Sequence, residues 1–322
     1  MQLLASTTVA LASPMSNQNQ SFLLKIMNLV LHHWKQDFRS IMRAHAVLGR
    51  GGFGTVFGFI HYKGKVTEPT PFVGKHLRKP PREFVRLRGK VKASQKREMV
   101  IQARCAAAGI SIFPIALLHT NAKQEDGLMI MERLPPGSTI TAFVKKHWRS
   151  AKQMTRIRTA IMRTVKTMHA LGVVHGDLHG DNLWLCDKKD GEEDRVLVLD
   201  FGRSIVVPEN VMNGVGKAMD LYVMSDDYAK EHIFVRWADA SVYKALWVPS
   251  ASNMQWEEAM QAMQGSDKEA FQRFPKYVRI GIDKFLNMYV SRLNELTKEE
   301  EESLLTMRTG DMELTIVARR CF

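Results

Sequence analysis

The chain has 322 residues, 45% of them hydrophobic and 25% charged, with a formal net charge of +13 at pH 7. That balance excludes a disordered or collagen-like chain and fits one large domain or two lobes. No uncharged apolar run reaches the ~18 residues that cross a bilayer, because the best candidate, Ser21 to Trp34, is interrupted by Lys25 and two histidines.

In chain order, residues 1–20 read as a flexible leader, with Leu3, Leu4, Val9 and Leu11 scattered among polar residues and no Lys or Arg to open a secretory signal. An amphipathic helix is expected around Phe22 to Ile41, and strands across Val47 to Tyr62. Inside that stretch, Gly49-Arg50-Gly51-Gly52-Phe53-Gly54-Thr55-Val56 fits GxGxxGxV, whose glycines let backbone amides approach phosphate oxygens. The same glycines fit a dinucleotide-binding turn, but that turn must open a helix. Thr55 to Ile60 is a β-type run instead, so the reading is a strand–loop–strand flap. No GxxxxGK[ST] occurs to support a P-loop.

Thr67 to Pro71 reads as a loop and Phe72 to Leu77 as a short strand, stopped before Pro80-Pro81. Lys75 in that strand can hold phosphate oxygens if a carboxylate fixes its side chain. Glu98 is the chosen partner, in a helix expected over Ser94 to Ala108 and ended by Gly109; Glu83, beside the proline pair, is the weaker option. Ile110 to His119 and Leu128 to Leu134 read as strands about a polar turn. Pro135-Pro136-Gly137 marks the lobe boundary. Beyond it helices are expected over Thr141 to Trp148 and Met154 to Leu171, and short strands over Asn182 to Cys186 and Val196 to Leu199. The last third, from Asp220, reads as helical, with a solvated acidic run at Glu299 to Glu302 and with Trp237, Trp247 and Trp256 as packing groups.

The positive charge is concentrated. Lys75 to Arg104 is dense in Lys and Arg, and Lys145 to Lys166 holds eight basic residues and no acid. Such blocks attract polyanions, yet neither interleaves its charges with base-stacking aromatics, so solvated helix faces are favoured over a nucleic-acid site. Cys105, Cys186 and Cys321 are far apart and form no CxxC pair, which points to a reducing, intracellular setting.

The chemistry concentrates in His175-Gly176-Asp177-Leu178-His179-Gly180-Asp181-Asn182 and Asp200-Phe201-Gly202. Asp177 supplies a carboxylate for an attacking hydroxyl. Asn182 supplies an amide oxygen, and Asp200, after the apolar run Val196 to Leu199, a second hard oxygen ligand of the kind Mg²⁺ prefers. Gly-rich loop, strand lysine, helix glutamate, HxDxxxxN and DFG in this order over Leu48 to Gly202 resemble the protein kinase superfamily.

That resemblance implies an α+β, two-lobed protein-kinase-like fold, with a small β-rich N-lobe and a larger α-helical C-lobe. Its expected boundaries are 21–134, the N-terminal helix plus N-lobe, and 135–322, the C-lobe with a divergent helical end. It implies an ATP- and Mg²⁺-dependent serine/threonine protein kinase. Gly49, Gly51, Gly52, Phe53, Gly54 and Val56 would cover the nucleotide, and Lys75 paired with Glu98 would hold its α and β groups. Glu132 to Leu134 would bond the adenine through their backbone, with Met131 behind it. Asp177 would be the base, and Asn182 and Asp200 the metal ligands. His175 would support the loop backbone.

Four positions depart from the family pattern. Gly176 stands where regulated kinases have Arg, so activation by a clamped loop phosphate is not expected. His179 replaces a lysine and resembles atypical kinases and aminoglycoside or choline phosphotransferases; it reads either as a substrate contact or as a neutral loop residue. No APE follows at the usual distance. Gly74 replaces Ala, leaving room for adenine. A small-molecule phosphotransferase therefore remains an alternative, as does a non-catalytic pseudokinase scaffold. Gly176 to Gly180 also fits a GDxHG metallophosphoesterase segment, but the further metal-ligand segment that chemistry needs is missing from the sequence.

Overall fold

Runs rich in Val, Phe and Thr in its first strands and in Leu, Ile and Met in its central ones build the first sheet. Its strands are β1 (Val47–Arg50), β2 (Gly54–Lys63), β3 (Val66–Leu77), β4 (Pro114–His119) and β5 (Gly127–Glu132). The structure is a computed structural model that describes residues 47–50, 54–63, 66–77, 94–119, 127–147, 149–212, 220, 258–259, 268–309 and 312–317. The leader, the helix expected at Phe22 to Ile41, Gly51, Gly52, Phe53, Glu83, Trp237, Trp247 and Trp256 lie outside the described residues. β1 and β2 pair antiparallel, with Gly49 opposite Val56 and Arg50 opposite Thr55, so the glycine segment joins two strands and opens no helix. Phe57, Phe59, Phe72, Leu117, Leu128, Met129 and Ile130 are at most 1% exposed. Each such burial contributes roughly 1.5–3 kcal/mol.

β3 is longer than expected, because the loop read at Thr67 to Pro71 is part of the strand. Residues 66–69 pair with β2 alone, and pairing with β5 begins at Phe72. A proline with no N–H to donate is tolerated on such a one-sided stretch. The pairing slips between Gly58 and Ile60. There Thr70 Oγ1 donates to Phe59 O at 3.0 Å, holding the irregular crossing.

The second group of elements is mainly helical. α1 (Gln95–Ala107) starts where Ser94 Oγ accepts from Arg97 N at 3.3 Å and stops before Gly109, whose φ of +75° a side chain would strain. After β6 (Gly137–Thr139) come α2 (Ile140–His147) and α3 (Ala151–Ala170). α3 is capped by Ser150 and buries Met154, Ile157, Ala160, Ile161, Val165 and Met168 along one face. β7 (Val173–Val174) pairs with β10 (Ile205–Val206), while β6, β8 (Leu183–Cys186) and β9 (Val196–Val198) form a three-stranded sheet. α4 (Lys276–Asn294) packs Val278, Ile282, Phe285, Leu286 and Tyr289 with Val174 and Ile205. Among the described residues no helix is long and apolar enough to cross a membrane.

The chain's end overturns the expected all-helical last third. After the short helix α5 (Lys298–Glu302), β11 (Leu304–Thr309) and β12 (Met312–Val317) form a hairpin that joins the first sheet, whose order is β1-β2-β3-β5-β4-β12-β11. Thr315 pairs with Leu117 of β4 on one side and Thr306 of β11 on the other, and is fully buried. The acidic run is not wholly solvated either, since Glu300 is 6% exposed.

Contacts group Met1–Pro80, Ile112–Arg133 and Lys298–Phe322 into one unit, and Pro81–Ser111 with Leu134–Thr297 into another. The hairpin adds strands to the first sheet, and α1 buries Ile101 and Cys105 in the same cluster as Ile157, Val165 and Phe201.

Candidate active site

In the first unit, Lys75 is 8% exposed and sits opposite Val56 on β2 and Met129 on β5. Strand alternation puts Gly74 on the other face. There a Cβ would fall 2.7 Å from the Phe57 ring and 3.1 Å from Leu128. The space expected for adenine at Gly74 is thus filled by core side chains, and the glycine is a packing requirement. Met131 is buried. The amide of Glu132 donates to Phe113 O at 3.0 Å and that of Arg133 to Pro71 O at 2.8 Å, which leaves Leu134 N–H as the uncommitted amide of this segment among the described residues.

In the second unit, the loop after β7 is held by many side chain to backbone bonds. Asp220, fully buried, accepts from the amides of His175 at 3.0 Å and Gly176 at 2.8 Å, and meets His169 Nε2 at 2.9 Å. The His175 ring is equally committed: Nε2 donates to Leu199 O at 2.9 Å, and Nδ1 accepts from Asp177 N at 3.3 Å. Those roles require the neutral ring, and burial accordingly pushes its pKa below the ordinary histidine value. His175 is therefore a support for the loop backbone, as its place in the motif implied.

Asp177 is one-fifth exposed and follows directly on this clamp. Asn182 Nδ2 donates to Asp177 O at 2.8 Å and lies 3.1 Å from His179 Nε2, so that nitrogen accepts and carries no proton. Arg203 Nη1 donates to Asp177 Oδ1 at 2.9 Å.

Asp200 has φ +59° and is the only non-glycine residue with positive φ among the described residues. An aspartate tolerates this left-handed conformation at modest cost. Phe201, the next residue, is fully buried with its ring centroid 5.3 Å from that of His175. A Cβ on Gly202 would lie 3.4 Å from both Asp200 Oδ1 and Glu98 Oε2, which places these two carboxylates around one glycine. Glu98 is 5% exposed on α1.

Four residues that hold this arrangement were not legible as functional. Arg97, read as part of a solvated basic block, is 1% exposed; its Nε donates to Ser204 O at 2.9 Å and its Nη2 to Gly202 O at 3.4 Å. Tyr289 Oη donates to Arg203 O at 2.6 Å, and burial pushes its phenol pKa up. Asp220 and Arg203 complete the set. Arg203 alone carried a signal, its place beside DFG. The others act on backbone groups, for which no spacing rule exists.

The other basic block is partly paired with the acidic turn after β8. Arg156 lies 3.0 Å from Asp194 Oδ2, Arg163 donates to Asp194 O at 2.6 Å and pairs with Glu193, and Lys188 reaches Asp194 at 3.4 Å. Cys105 and Cys186 are buried free thiols, Cys105 with its pKa pushed up to about 12 by burial.

The donor set suits a hard cation. Asn182 spends its nitrogen on the loop and keeps Oδ1, and Asp200 offers a carboxylate; two such oxygens, with water and phosphate supplying the remainder, are what Mg²⁺ takes. No cluster of three or more His, Cys, Asp or Glu able to hold a metal occurs among the described residues.

The protein kinase domain family model matches residues 42–236. Calcium-dependent protein kinase 29 of Arabidopsis thaliana is 27% identical over 177 residues, covering 54% of this chain and 30% of the relative. The serine/threonine-protein kinase H1 homolog of Pinctada fucata is 28% identical over 100 residues, covering 30% of this chain and 24% of the relative. These matches thus span less than a third of the relatives' own length. A solved structure titled WaaP in complex with acyl carrier protein aligns with a TM-score of 0.42 and 15% identity, over 77% of this chain and 97% of that one. With a family match across more than half its length, this chain belongs to the protein kinase domain family.

Proposed function

We propose that this protein is an ATP- and Mg²⁺-dependent serine/threonine protein kinase. The observation that carries the reading is the Asp177–Asn182 loop, closed by the 2.8 Å bond from Asn182 Nδ2 to Asp177 O in a chain of the protein kinase family. Asp177 orients the substrate hydroxyl and accepts its proton as that oxygen attacks the γ-phosphoryl group. Lys75, with Glu98 as its partner in the family pattern, would attract the α and β phosphate oxygens. The glycine segment Gly49 to Val56 would cover them, and the backbone of Glu132 to Leu134 would bond the adenine. Asn182 and Asp200 would hold Mg²⁺, which when bound supplies charge neutralisation at the phosphate oxygens. Little covalent work falls to the protein, so positioning and electrostatics carry the rate.

The test uses the full chain, radiolabelled ATP and three acceptor sets: a basic protein mixture, aminoglycosides and choline. Label on Ser or Thr of protein is expected; label on the small molecules alone overturns the protein substrate. Asp177→Asn is expected to lower turnover on the order of 10²- to 10⁴-fold with nucleotide affinity nearly intact. Asp200→Asn is expected to weaken nucleotide binding only when Mg²⁺ is present. Full activity in Asp177→Asn removes the base assignment.

A further inference from the structure

Resting on the reading above, we propose that Arg203 is a positioning residue for catalysis, which fixes the Asp177 carboxylate through Oδ1 so that Oδ2 faces the acceptor hydroxyl. The bond from Arg203 Nη1 to Asp177 Oδ1 is 2.9 Å long. Across the same carboxylate, His179 Nε2 stands 4.0 Å from Oδ2, but it accepts from Asn182 and brings no proton. Among the described residues, Arg203 is therefore the permanent cation within ion-pair distance of Asp177.

The backbone that presents Arg203 is over-determined. Tyr289 Oη donates to its carbonyl at 2.6 Å, Ser204 N donates to Phe201 O at 2.9 Å, and Arg97 grips the carbonyls of Gly202 and Ser204 on either side. Ser204 Oγ also donates to His175 O at 3.1 Å, tying the segment that carries Arg203 to the loop that carries Asp177. Base and guanidinium thus ride on one framework, and a short charge-assisted bond between them removes the rotational freedom of a carboxylate next to solvent. Arg203 is 34% exposed and Asp177 19%. A pair so open contributes little to stability. Its consequence falls on geometry, where misplacing a reacting group by about 1 Å costs on the order of 10²-fold in rate.

The experiment compares Arg203→Met, Arg203→Lys and the double variant Arg203→Met/His179→Lys with the wild-type chain and Asp177→Asn. Readouts are kcat and KM for ATP with the basic protein mixture, nucleotide affinity by titration, and melting temperature. Arg203→Met is expected to lower kcat about 10- to 100-fold while KM for ATP, nucleotide affinity and melting temperature stay near wild type. Arg203→Lys retains an intermediate rate, and a lysine at 179, supplying the cation from the other side, recovers much of the loss. A kcat for Arg203→Met equal to wild type overturns the proposal, and a higher one assigns the guanidinium to blocking the base instead. If Asp177→Asn is inactive while Arg203→Met is fully active, the inference alone fails. If Asp177→Asn keeps its activity, the functional reading fails and this inference with it.

Discussion

Lys75 sits inside a ladder, with Val56 opposite it on β2 and Met129 on β5, whereas Asp177 has no strand on either side. The lysine's place follows from backbone pairing that many different side chains would preserve. The aspartate's place depends on particular side chains remote in sequence: Asp220, which holds the two amides before it, Asn182, which holds its carbonyl, and the His175 ring, which accepts from its own amide. A ladder spreads its cost over many weak equivalents, while a clamp concentrates it in a few atoms. Single substitutions outside the motif should therefore disturb Asp177 far more than Lys75.

The sharpest way to break the contrast is Asp220→Ala. It leaves the buried amides of His175 and Gly176 and the His169 ring nitrogen without their acceptor. At ~1–3 kcal/mol for each unsatisfied group, the loss of stability should reach about 3–5 kcal/mol with activity abolished. Asp220→Asn keeps an acceptor and should lose less. Urea unfolding measures both, and an alanine variant within ~1 kcal/mol of wild type would mean that other contacts hold the loop.

The ladder side is tested by Thr315→Pro in the middle of β12, which removes a pairing amide between β4 and β11. The buried carbonyl left without its donor is expected to cost about 1–3 kcal/mol. Hydrogen exchange should lose protection at Ala116 to His119 and across the hairpin while residues 173–182 stay protected. Equal loss in both places would show that the two devices are energetically one.

What the sequence disclosed follows the same division. Strands with alternating residues, capped helices and the spaced carboxylates were readable, because local periodicity and local chemistry encode them. The proline half of β3 was misread since a breaker residue is harmless where a strand has a partner on one side only. The hairpin was missed under the helix-forming acidic run before it, although Gly310-Asp311 between two β-type runs is a usable turn signal. Arg97 and Tyr289 were beyond reach, because their partners here are carbonyls that any residue could have supplied, and Asp220 because its partners, two amides and the His169 ring, lie more than forty residues away in sequence.

Gly176 offers the finest test, since two physical causes for a glycine coincide there. Its φ is +75°, and a Cβ would press on Tyr289 Oη and come within 2.7 Å of Arg203 O. The conformation alone costs an alanine about 1–2 kcal/mol; the crowding adds to it, which is also why no arginine fits at this position. Gly176→Ala should thus destabilise by roughly 2–3 kcal/mol and slow turnover. Tyr289→Phe removes the hydroxyl that meets the new methyl group, at the loss of its bond to Arg203 O. If crowding matters, the double variant is less destabilised than the sum of the singles by about 0.5–1 kcal/mol in urea unfolding. Strict additivity would leave the backbone angle as the sole reason for glycine, and would mean that α4 yields at Tyr289 instead of bracing the loop.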